Sequence, residues 1–444
     1  MSEKGLTNIS LKKINKSKVY QYIYRKKKTS KQQIVQELQM GLSTVSQNLN
    51  LLEQEGLIEK NGFFASTGGR KANAIQIVSD FKISIGIGIL KGMFHITAVD
   101  LYGNAFYTDT ILLPYSDTPD YYKQVTDTVK EFLSSHQYDH DKVLGISIAT
   151  QGITSLDHTT VLYGDIMNNV GMKLDDFSRY LPYPCYLEHD SKSAAFLELW
   201  NHPELDSAVI ILLNRNLGGG IITDHQVHQG VSMHSGTLEH MCIHPDGPLC
   251  YCGSRGCLET YCSANALEQA AGIPVKEFFP LLRAKKSPQI LQIWKDYLNH
   301  LAFAMKNLNL MIDAPIILSG YLAPYFTEED LTYLTEYLHT AAPSIPDNTQ
   351  ILVGTHGQYT PAIGAALHYV EKFVQSKLAT TSSTGGLLLA LQRAIVTARP
   401  KGRYRKHFCW PAIKRYYSIL LLALLYTFEL LHLLYCQSFQ HNIL

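Results

Sequence analysis

Four side chains that favour borderline-soft metal ions lie within eighteen residues of this 444-residue chain. They are His240, Cys250, Cys252 and Cys257, in a segment rich in the Gly and Pro that let a loop wrap around an ion. One imidazole and three thiols suit a closed, tetrahedral zinc site, which is structural because no position is left for water. The tight Cys-x-Cys-x4-Cys spacing therefore predicts Zn²⁺ as a structural cofactor.

The same loop contains two alternative ligands, Cys242 and His244. Strand-like alternation turns Met241 and Ile243 toward a core, which ranks this pair of ligands below the first four. The alternative without a metal is a set of unrelated buried side chains, because a free Cys is often only a small hydrophobic residue.

Charge is distributed unevenly along the chain. The formal net charge is +1, but the first 78 residues hold 13 Lys or Arg against five acidic residues, which leaves this segment at +8. Such a balance favours a polyanionic partner, above all double-stranded DNA. Eight cysteines, half of them in or near one loop, indicate a reducing compartment. Since the N-terminus has no apolar signal region, we expect a cytoplasmic protein.

The basic segment has the pattern of a helix-turn-helix. Helices are predicted over residues 15–27 and 31–38, with Thr29 and Ser30 as candidate caps for the second. Gly41 then breaks the pattern before a third helix begins. Two helices joined by a short turn that contains Gly are typical of this motif.

The third helix has an apolar face and a polar start. Its apolar side chains are predicted to face inward: Leu42, Val45, Leu49 and Leu52. The short polar side chains left outside suit base edges and phosphates: Ser43, Thr44, Ser46 and Gln47. Residues 57–58 and 63–64 are predicted to form a small hairpin, followed by a basic wing in which Arg70 and Lys71 would contact DNA. The alternative is a trihelical bundle that binds only proteins.

After residue 78, short β-rich runs alternate with helical stretches. Strands are predicted over residues 82–89, 94–100, 104–112, 143–148, 184–188 and 208–213. Helices are predicted over residues 121–134 and 192–200. The pattern indicates an α/β fold with two related lobes, whose cleft suits closure around a small ligand.

Three features together resemble the ROK family of repressors, open reading frames and sugar kinases. They are the metal loop at 240–259, the helix-turn-helix before an α/β body, and Leu187-Glu-His-Asp190. The resemblance implies a winged helix-turn-helix over residues 10–76 and a two-lobed body with the actin-like, sugar-kinase-like fold over 80–377. Family members with the DNA-binding domain are typically repressors of sugar-utilisation genes, and those without it are usually ATP-dependent sugar kinases.

The resemblance is weakest where a kinase would bind its nucleotide. Kinases of this fold carry Asp-x-Gly-Gly-Thr after the first strand, because the Asp helps hold the magnesium nucleotide and the glycines admit phosphate. This chain has Gly88-Ile-Leu-Lys-Gly92 instead. Asn214-Arg-Asn216 replaces the Gly-Thr-Gly of the second loop, and Ser319-Gly320-Tyr321 replaces a glycine pair. These losses predict a protein that is not an enzyme, with an ATP-dependent sugar kinase as the alternative.

The sugar side of the resemblance is better preserved. Asp190 matches the family's sugar-binding Asp, Asn169 the Asn that contacts the sugar ring, and Glu259 the Glu that closes the zinc loop. His240 is implied to bind zinc through one nitrogen and a sugar hydroxyl through the other. Turn and helix capping are the alternative roles for Asn169 and Glu259.

One departure concerns sugar specificity. Family members usually have Gly-Glu-x-Gly-His before the zinc loop, whereas this chain has Gly236-Thr-Leu-Glu-His240. Thr237 replaces the Glu, and Glu239 replaces the Gly. We therefore expect a pocket that prefers an unusual sugar or binds weakly.

The tail at residues 378–444 differs in composition from the body. It holds eight Lys or Arg against one acidic residue, and its apolar stretch at 416–436 is about long enough to span a membrane. Glu429 and His432 interrupt that stretch, at a high cost in hydrocarbon. Three hypotheses stay open: a membrane-anchoring helix, an amphipathic or self-association helix, and a reading-frame or gene-fusion accident.

Together these features predict a sugar-responsive repressor that binds a DNA operator. We expect a homo-oligomer, because helix-turn-helix proteins usually bind paired half-sites. A sugar effector in the cleft between the lobes would change the spacing or mobility of the DNA-binding domains, provided that it binds one state more tightly than the other.

Overall fold

The computed structural model describes residues 8–64, 72–341 and 349–378. Its α-helices are α1 (Asn8–Lys26), α2 (Lys31–Leu38), α3 (Leu42–Gln54), α4 (Pro119–Ser135), α5 (Asp175–Ser178), α6 (Asp190–Asn201), α7 (Glu259–Cys262), α8 (Ala264–Ala271), α9 (Val275–Ala284), α10 (Pro288–Met311), α11 (Glu328–Ala341) and α12 (Thr360–Leu378). Its strands are β1 (Ile58–Phe63), β2 (Asn73–Ile77), β3 (Ile83–Ile89), β4 (Phe94–Val99), β5 (Ala105–Ile111), β6 (Val143–Thr150), β7 (Ile153–Thr154), β8 (Val161–Tyr163), β9 (Cys185–His189), β10 (Ala208–Leu212), β11 (Gly218–Thr223), β12 (Gln226–Val227), β13 (Ile316–Ser319) and β14 (Ile351–Val353).

The first three helices and the β1–β2 hairpin enclose a small core. Its buried side chains include Val19, Ile23, Ile34, Val45, Leu49, Leu52 and Ile75. Helix α2 begins with a capping box, in which Ser30 Oγ accepts a hydrogen bond from the Gln33 N–H and the Gln33 side chain accepts one from the Ser30 N–H. Helix α1 begins at Asn8, before the predicted start at residue 15, because no Gly or Pro interrupts residues 8–15.

The hairpin differs from the prediction. Strand β1 runs without a break to Phe63 and pairs with β2 in antiparallel register, with Ile58 opposite Ile77. Residues 57–58 and 63–64 are therefore not two paired strands, and that prediction is wrong. Gly62, with φ +78°, lies at an irregularity of the ladder and does not reverse the chain.

Two five-stranded sheets form the body. The first has the order β5-β4-β3-β6-β9, and the second has the order β12-β11-β10-β13-β14. In each sheet two antiparallel pairings precede two parallel pairings, so the sheets have matching topology. The predicted α/β body with two related halves is confirmed.

Strand β3 is buried on both faces. Its sequence alternates isoleucine with smaller residues, so that one face packs against α4 and the other against α12. Its isoleucines pack with α4, whose Val125 and Val129 lie in the same hydrophobic cluster. Its glycines face α12, where a Cβ on Gly86 would collide with the Ala362 carbonyl oxygen. The glycines of this strand are thus needed for helix packing.

Helix α6 links the two sheets. It begins directly after β9 and packs against β11, where a Cβ on Gly220 would lie 2.5 Å from the Ala195 Cβ. Helix α12 packs on the other side of α6, where a Cβ on Gly364 would collide with the Ser193 carbonyl oxygen. Two glycine-dependent contacts therefore hold α6 between a strand and a helix.

The N-terminal helices contact the body through α1. The Tyr24 ring stacks on the Tyr102 ring at 5.2 Å, and its hydroxyl donates a hydrogen bond of 2.7 Å to the Leu101 carbonyl. Trp200, near the end of α6, donates from Nε1 to the Tyr102 carbonyl at 2.8 Å. Ser17 Oγ also donates a hydrogen bond to the last turn of α12. Helices α6 and α12 thus both reach the surface on which α1 lies.

The C-terminal tail lies outside the described residues from position 379 onward. Its three alternative roles therefore stay predictions. Among the helices that the structure describes, none combines the length and the apolar character needed to cross a membrane.

Candidate functional site

Four side chains of the 240–257 loop come together around one point. The ligand atoms of His240, Cys250, Cys252 and Cys257 all lie within 4.8 Å of one another. Cys252 Sγ is 3.7 Å from Cys257 Sγ, and Cys250 Sγ is 3.9 Å from His240 Nδ1. Tetrahedral zinc with Zn–S bonds of about 2.3 Å would place two sulfurs roughly 3.8 Å apart. The four side chains therefore fit a single metal ion.

Tight turns bring these ligands together. The Cys250 N–H donates to the Ser254 carbonyl at 2.8 Å, and the Gly253 N–H returns a 3.0 Å bond to the Cys250 carbonyl. Gly253 and Gly256 adopt φ of +85° and +68°, which L side chains rarely adopt. At Gly256 a Cβ would also collide with the His244 carbonyl oxygen, so both conformation and space require Gly.

The two alternative ligands lie outside the cluster. Cys242 is exposed, and its backbone forms an isolated antiparallel bridge with Cys257. The His244 ring packs edge-on against the rings of Tyr261 and His300, each at 5.2 Å. The lower rank given to this pair agrees with that geometry.

Three carboxyl groups gather beside the metal loop. Asp190 is the first residue of α6, Glu259 is the first residue of α7, and Glu239 directly precedes His240. Burial raises the pKa of Asp190 to about 6, that of Glu259 to about 7 and that of Glu239 to about 8. The charges of Asp190 and Glu259 add to the effect of burial at Glu239. The groups therefore lie close enough to repel one another.

Two of these carboxyl groups differ in their partners. Glu259 accepts hydrogen bonds from Asn216 Nδ2 at 2.8 Å and from the Leu217 N–H at 2.6 Å, so its position is fixed. Glu239 Oε2 is buried and has no hydrogen-bond partner within the described part of the chain. Glu239 thus keeps a hydrogen-bonding group for a ligand.

Asn169 is connected to the end of β9, just before Asp190, through the register of the first sheet. Strand β6 ends at Thr150, which pairs with His189 of β9, the residue before Asp190. Asn169 Nδ2 donates to Thr150 Oγ1 at 3.0 Å. The side chain is 1% exposed, yet Asn169 Oδ1 has no partner in residues 8–64, 72–341 or 349–378. This amide therefore offers a second buried acceptor, which packs closely against Gly164.

Two residues of this site are missing from the sequence prediction. Glu239 is predicted only as a departure from the family pattern, but a short 3₁₀ turn, Leu238–His240, carries it into the carboxyl cluster. The Tyr251 ring lies 5.2 Å from the His240 ring, and burial together with the charges of Glu239 and Glu259 raises the pKa of Tyr251. The one available signal for Tyr251 is its position between two metal ligands, Cys250 and Cys252, in the loop.

The loops at the expected nucleotide position are held by contacts within the protein. Asn214 Oδ1 accepts a hydrogen bond of 2.8 Å from the Tyr321 N–H, and a Cβ on Gly320 would lie 2.7 Å from that oxygen. Arg215 pairs with Glu268 at 3.1 Å and lies 5.7 Å from the centre of the Tyr321 ring. Side chains therefore fill this region, where a phosphate cradle would present backbone N–H groups.

Helix α3 presents part of its predicted polar face to solvent. Ser43 and Gln47 are exposed, and Thr44 and Ser46 are half-buried. Ser46 Oγ donates a hydrogen bond of 2.7 Å to the carbonyl one turn earlier. Ser43 and Gln47 are thus the two with the greatest freedom to contact a partner.

Leu42 differs from the prediction that it faces inward. Its side chain is 56% exposed, because it is the first residue of α3 and Val45 and Leu49 fill the core below it. The predicted wing residues Arg70 and Lys71 lie outside the described residues.

The two-sheet body, the Cys3His loop and the helix-turn-helix head define a sugar-kinase-like protein with a head of the DNA-binding type. The chain belongs to the ROK family, whose model matches residues 83–372.

Two relatives and one solved structure show the extent of the similarity. The DNA-binding transcriptional dual regulator NagC of Escherichia coli strain K12 is 27% identical to this chain over 269 residues. These residues are 59% of this chain and 66% of NagC, so the chain spans slightly less than two thirds of the length of NagC. The xylose repressor of Bacillus spizizenii is 24% identical over 378 residues, 82% of this chain and 97% of that protein. A ROK family transcriptional regulator, described as a homologue of the E. coli MLC protein, has a TM-score of 0.62 at 19% identity. The matched region covers 86% of this chain and 100% of that chain, so the similarity supports the fold.

Proposed function

We propose that this protein is a sugar-responsive, DNA-binding transcriptional repressor of carbohydrate-utilisation genes, acting in the cytoplasm as a homo-oligomer. The observation that carries the proposal is a pair of buried polar atoms, Glu239 Oε2 and Asn169 Oδ1, that have no hydrogen-bond partner among the described residues. Glu239 also interacts with the charge of Asp190. Carboxylate and amide oxygens accept hydrogen bonds from sugar hydroxyls. The regulators similar to this chain, NagC and the xylose repressor, support the same function.

In this proposal the sugar is bound but not phosphorylated. Asp190 would accept hydrogen bonds from two hydroxyls, and Asn169 and Glu259 would contact the ring. Glu239 adds a further acceptor beside them. Asn214 and Arg215, which match the second phosphate loop of the family's kinases in sequence position, already bond to other protein groups. The alternative, an ATP-dependent sugar kinase, lacks this support.

Zinc fits the metal loop and would connect it to the sugar site. His240 Nδ1 and the thiolates of Cys250, Cys252 and Cys257 would hold the ion, which would cross-link the loop. A neutral imidazole bound through Nδ1 carries its proton on Nε2. His240 Nε2 lies 4.0 Å from Glu239 Oε1, so this N–H would point toward the carboxyl groups and donate to a sugar hydroxyl.

The start of α3 would contact the operator. Ser43, Thr44, Ser46 and Gln47 suit base edges and phosphates, and Arg70 and Lys71 of the wing would add phosphate contacts. Leu42 adds an apolar group at the same end of the helix, which suits the methyl group of thymine.

Helix α6 offers a direct connection between the two binding functions. Asp190 is its first residue, and Trp200 near its other end donates a hydrogen bond to the Tyr102 carbonyl. The Tyr102 ring in turn stacks on the ring of Tyr24 in α1. A sugar that draws Asp190 toward Glu259 would shift α6 as one body. The DNA-binding domain would move with it, so sugar and operator would favour different states.

The test uses the purified full-length chain, duplexes that it selects from a random DNA pool, and three probes: D-xylose, D-glucose and N-acetyl-D-glucosamine. We expect at least one sugar to weaken DNA binding by about fivefold or more, in the range typical of allosteric coupling. DNA affinity is measured by fluorescence anisotropy at one salt concentration. Sugar-dependent release of ADP from Mg-ATP would establish the kinase instead, and a chain that selects no duplex would contradict the repressor.

A further inference from the structure

A cavity of about 160 Å³ lies between β9, α6 and α12. We call it the second cavity, to distinguish it from the proposed sugar site. Its lining includes Glu188 of β9, Ser193 of α6, Gln229 just after β12 and His368 of α12. None of the residues that we assign to the sugar site lines this cavity. It is therefore a separate space, although Glu188 is only two positions from Asp190.

The polar lining of this cavity is incompletely bonded. Four buried atoms have no hydrogen bond among the residues described: Glu188 Oε1, Ser193 Oγ, Gln229 Oε1 and His368 Nε2. Glu188 Oε1 also lies 3.5 Å from His158 Nδ1, which is too long for a good hydrogen bond. Each such atom costs about 1–3 kcal/mol when nothing bonds to it. Four of them in one cavity indicate that a polar molecule fills it.

The charged groups around the cavity oppose one another. Glu188 interacts electrostatically with Lys192, which is 2% exposed and donates to the carbonyls of His228 and Ser235. Burial raises the pKa of Glu188 to about 7, and the Lys192 charge lowers it only in part. Burial also lowers the pKa of His368 to about 3, so this ring is neutral. An anion would meet Glu188 and Glu371, and a cation would meet Lys192, which disfavours both.

Aromatic rings form another part of the wall. The Tyr186 ring stacks on the His368 ring with their centres 3.5 Å apart, and the Tyr186 hydroxyl donates to Glu188 Oε2 at 3.0 Å. Phe196 of α6 also lines the cavity. Hydrogen-bonding groups beside flat rings suit a ligand that has hydroxyl groups on a carbon frame.

We propose that this cavity is a second binding site, for a small, neutral polyhydroxylated molecule such as a monosaccharide or an alditol. Each hydroxyl both donates and accepts, which matches the mixed set of unpartnered groups. The cavity of about 160 Å³ holds roughly five waters at about 30 Å³ each, and drug-sized ligands need about 300 Å³ or more.

A ligand in this cavity would connect α6 to α12. Glu188 and Ser193 lie on one side and His368 on the other, and both helices reach the surface on which α1 lies. The second site would therefore influence the DNA-binding helices by a route that does not pass through Asp190. Lys192 also interacts with Glu239, so the two sites share one charged neighbour.

The experiment uses the full-length Asp190→Ala protein, in which the proposed sugar site is disabled. Erythritol, xylitol, D-xylose and D-glucose are titrated to about 10 mM, because a ligand with so few heavy atoms binds weakly. Calorimetry and saturation-transfer NMR detect binding. Two further changes remove hydrogen-bonding groups from the cavity: His368→Phe, which keeps a stacked aromatic ring, and Ser193→Ala, which adds no bulk. Ser376→Ala, at an exposed position of α12, is the matched control.

We expect at least one of these molecules to bind the Asp190→Ala protein with one-to-one stoichiometry. His368→Phe and Ser193→Ala should each weaken this binding about fivefold, because each removes one hydrogen bond that contributes about 1 kcal/mol. Ser376→Ala should leave the affinity unchanged. Absence of binding overturns the proposal, and so does binding that neither cavity variant changes, provided that each variant melts within a few degrees of its parent. Failure of the proposed function is recognised separately: the wild type would then show no additional, tighter binding step that Asp190→Ala removes.

Discussion

The sugar half and the nucleotide half of the site differ in how their polar groups are bonded. In the sugar half, Glu239 Oε2 and Asn169 Oδ1 are buried without partners among the described residues. In the nucleotide half, Asn214 bonds to the Tyr321 N–H and Arg215 bonds to Glu268. Because an unpartnered buried acceptor is costly, the polar groups of the first half suit the ligand that we propose for it. The polar groups of the second half already bond to other protein groups.

Glycine is a poor guide to the difference between the two halves. The run from Gly218 to Gly220 resembles a glycine-rich phosphate loop, but Gly218 and Gly220 pack against α6, and Gly88 packs against α12. A Cβ on Gly88 would lie 3.4 Å from the Ala362 Cβ of α12, and one on Gly218 would collide with Ser191 Oγ of α6. Packing alone accounts for these glycines, so their retention says nothing about a nucleotide.

Removal of the central carboxylate should have the largest effect. We expect Asp190→Ala to weaken sugar binding by about 100-fold or more, since two hydrogen bonds to a charged group are worth about 1.5–3 kcal/mol each. Calorimetry measures the change, with the sugar that most weakens DNA binding in the anisotropy experiment. Asp206→Ala, at an exposed ion pair with His225, is the control. Equal affinities for the two variants would remove Asp190 from the sugar site.

Loss of a metal ligand should have the next largest effect. We expect Cys252→Ser to abolish stoichiometric zinc, lower the melting temperature and weaken sugar binding by about tenfold or more, because the ion positions His240. Cys242→Ser, in the same loop but outside the cluster, should do none of these. Metal analysis and thermal melting follow both proteins. Native melting with the metal lost from Cys252→Ser would show that the ion is not structural.

The acidity of Asp190 predicts a pH dependence of sugar binding. Its folded-state pKa is raised to about 6 by burial, so the acid is protonated below that pH and ionised above it. The ionised form is the stronger acceptor, so sugar affinity should rise about tenfold from pH 5 to pH 7. Asp190→Asn should flatten this part of the profile. A wild-type affinity that falls over the same range would contradict the assigned role.

The same raised pKa has a consequence for stability. Because burial favours the protonated acid, its stabilising effect is complete below the unfolded pKa of about 4 and is lost as the pH rises through about 6. Stability and sugar affinity should therefore change in opposite directions across this range. Opposite trends are expected for Asp190, because burial of its charged form lowers stability while that form binds the sugar more tightly.

The connection through α6 should have a moderate effect. Trp200→Phe removes the hydrogen bond to the Tyr102 carbonyl but keeps an aromatic ring. We expect sugar affinity and DNA affinity, each measured alone, to stay within about twofold, while the sugar-induced loss of DNA affinity shrinks about fivefold. Tyr22→Phe on α1 is the control. An unchanged response to sugar would show that the signal does not pass through Trp200.

Local patterns were more predictable than contacts between distant elements. The sequence alone identified the four side chains whose ligand atoms come together in the loop, because short spacing and glycine turns are local properties. It also predicted α2 with its Ser30 cap. It failed at the hairpin, because Gly62 resembles a turn residue and the partner strand lies after residue 71.

The carboxyl cluster and the second cavity could not be predicted fully. Glu239 joins Asp190 and Glu259 only because three separate elements meet, and the 3₁₀ turn that directs it inward has no strong signal. The second cavity depends on how closely α12 approaches α6, which is set at Gly364 and Ser193, far apart in sequence. Such packing follows from tertiary structure.

The smallest expected effect concerns the nucleotide half and tests whether its contacts are only internal. We expect Arg215→Ala to lower the free energy of unfolding by no more than about 1 kcal/mol, since the pair with Glu268 is partly exposed and a surface ion pair contributes little. Denaturant unfolding measures the change, with Lys285→Ala at another exposed pair as the control. Sugar affinity should stay the same, and calorimetry should detect no binding of Mg-ATP to either variant. Mg-ATP binding by the wild type that Arg215→Ala weakens would make this half a ligand site and erase the contrast with the sugar half.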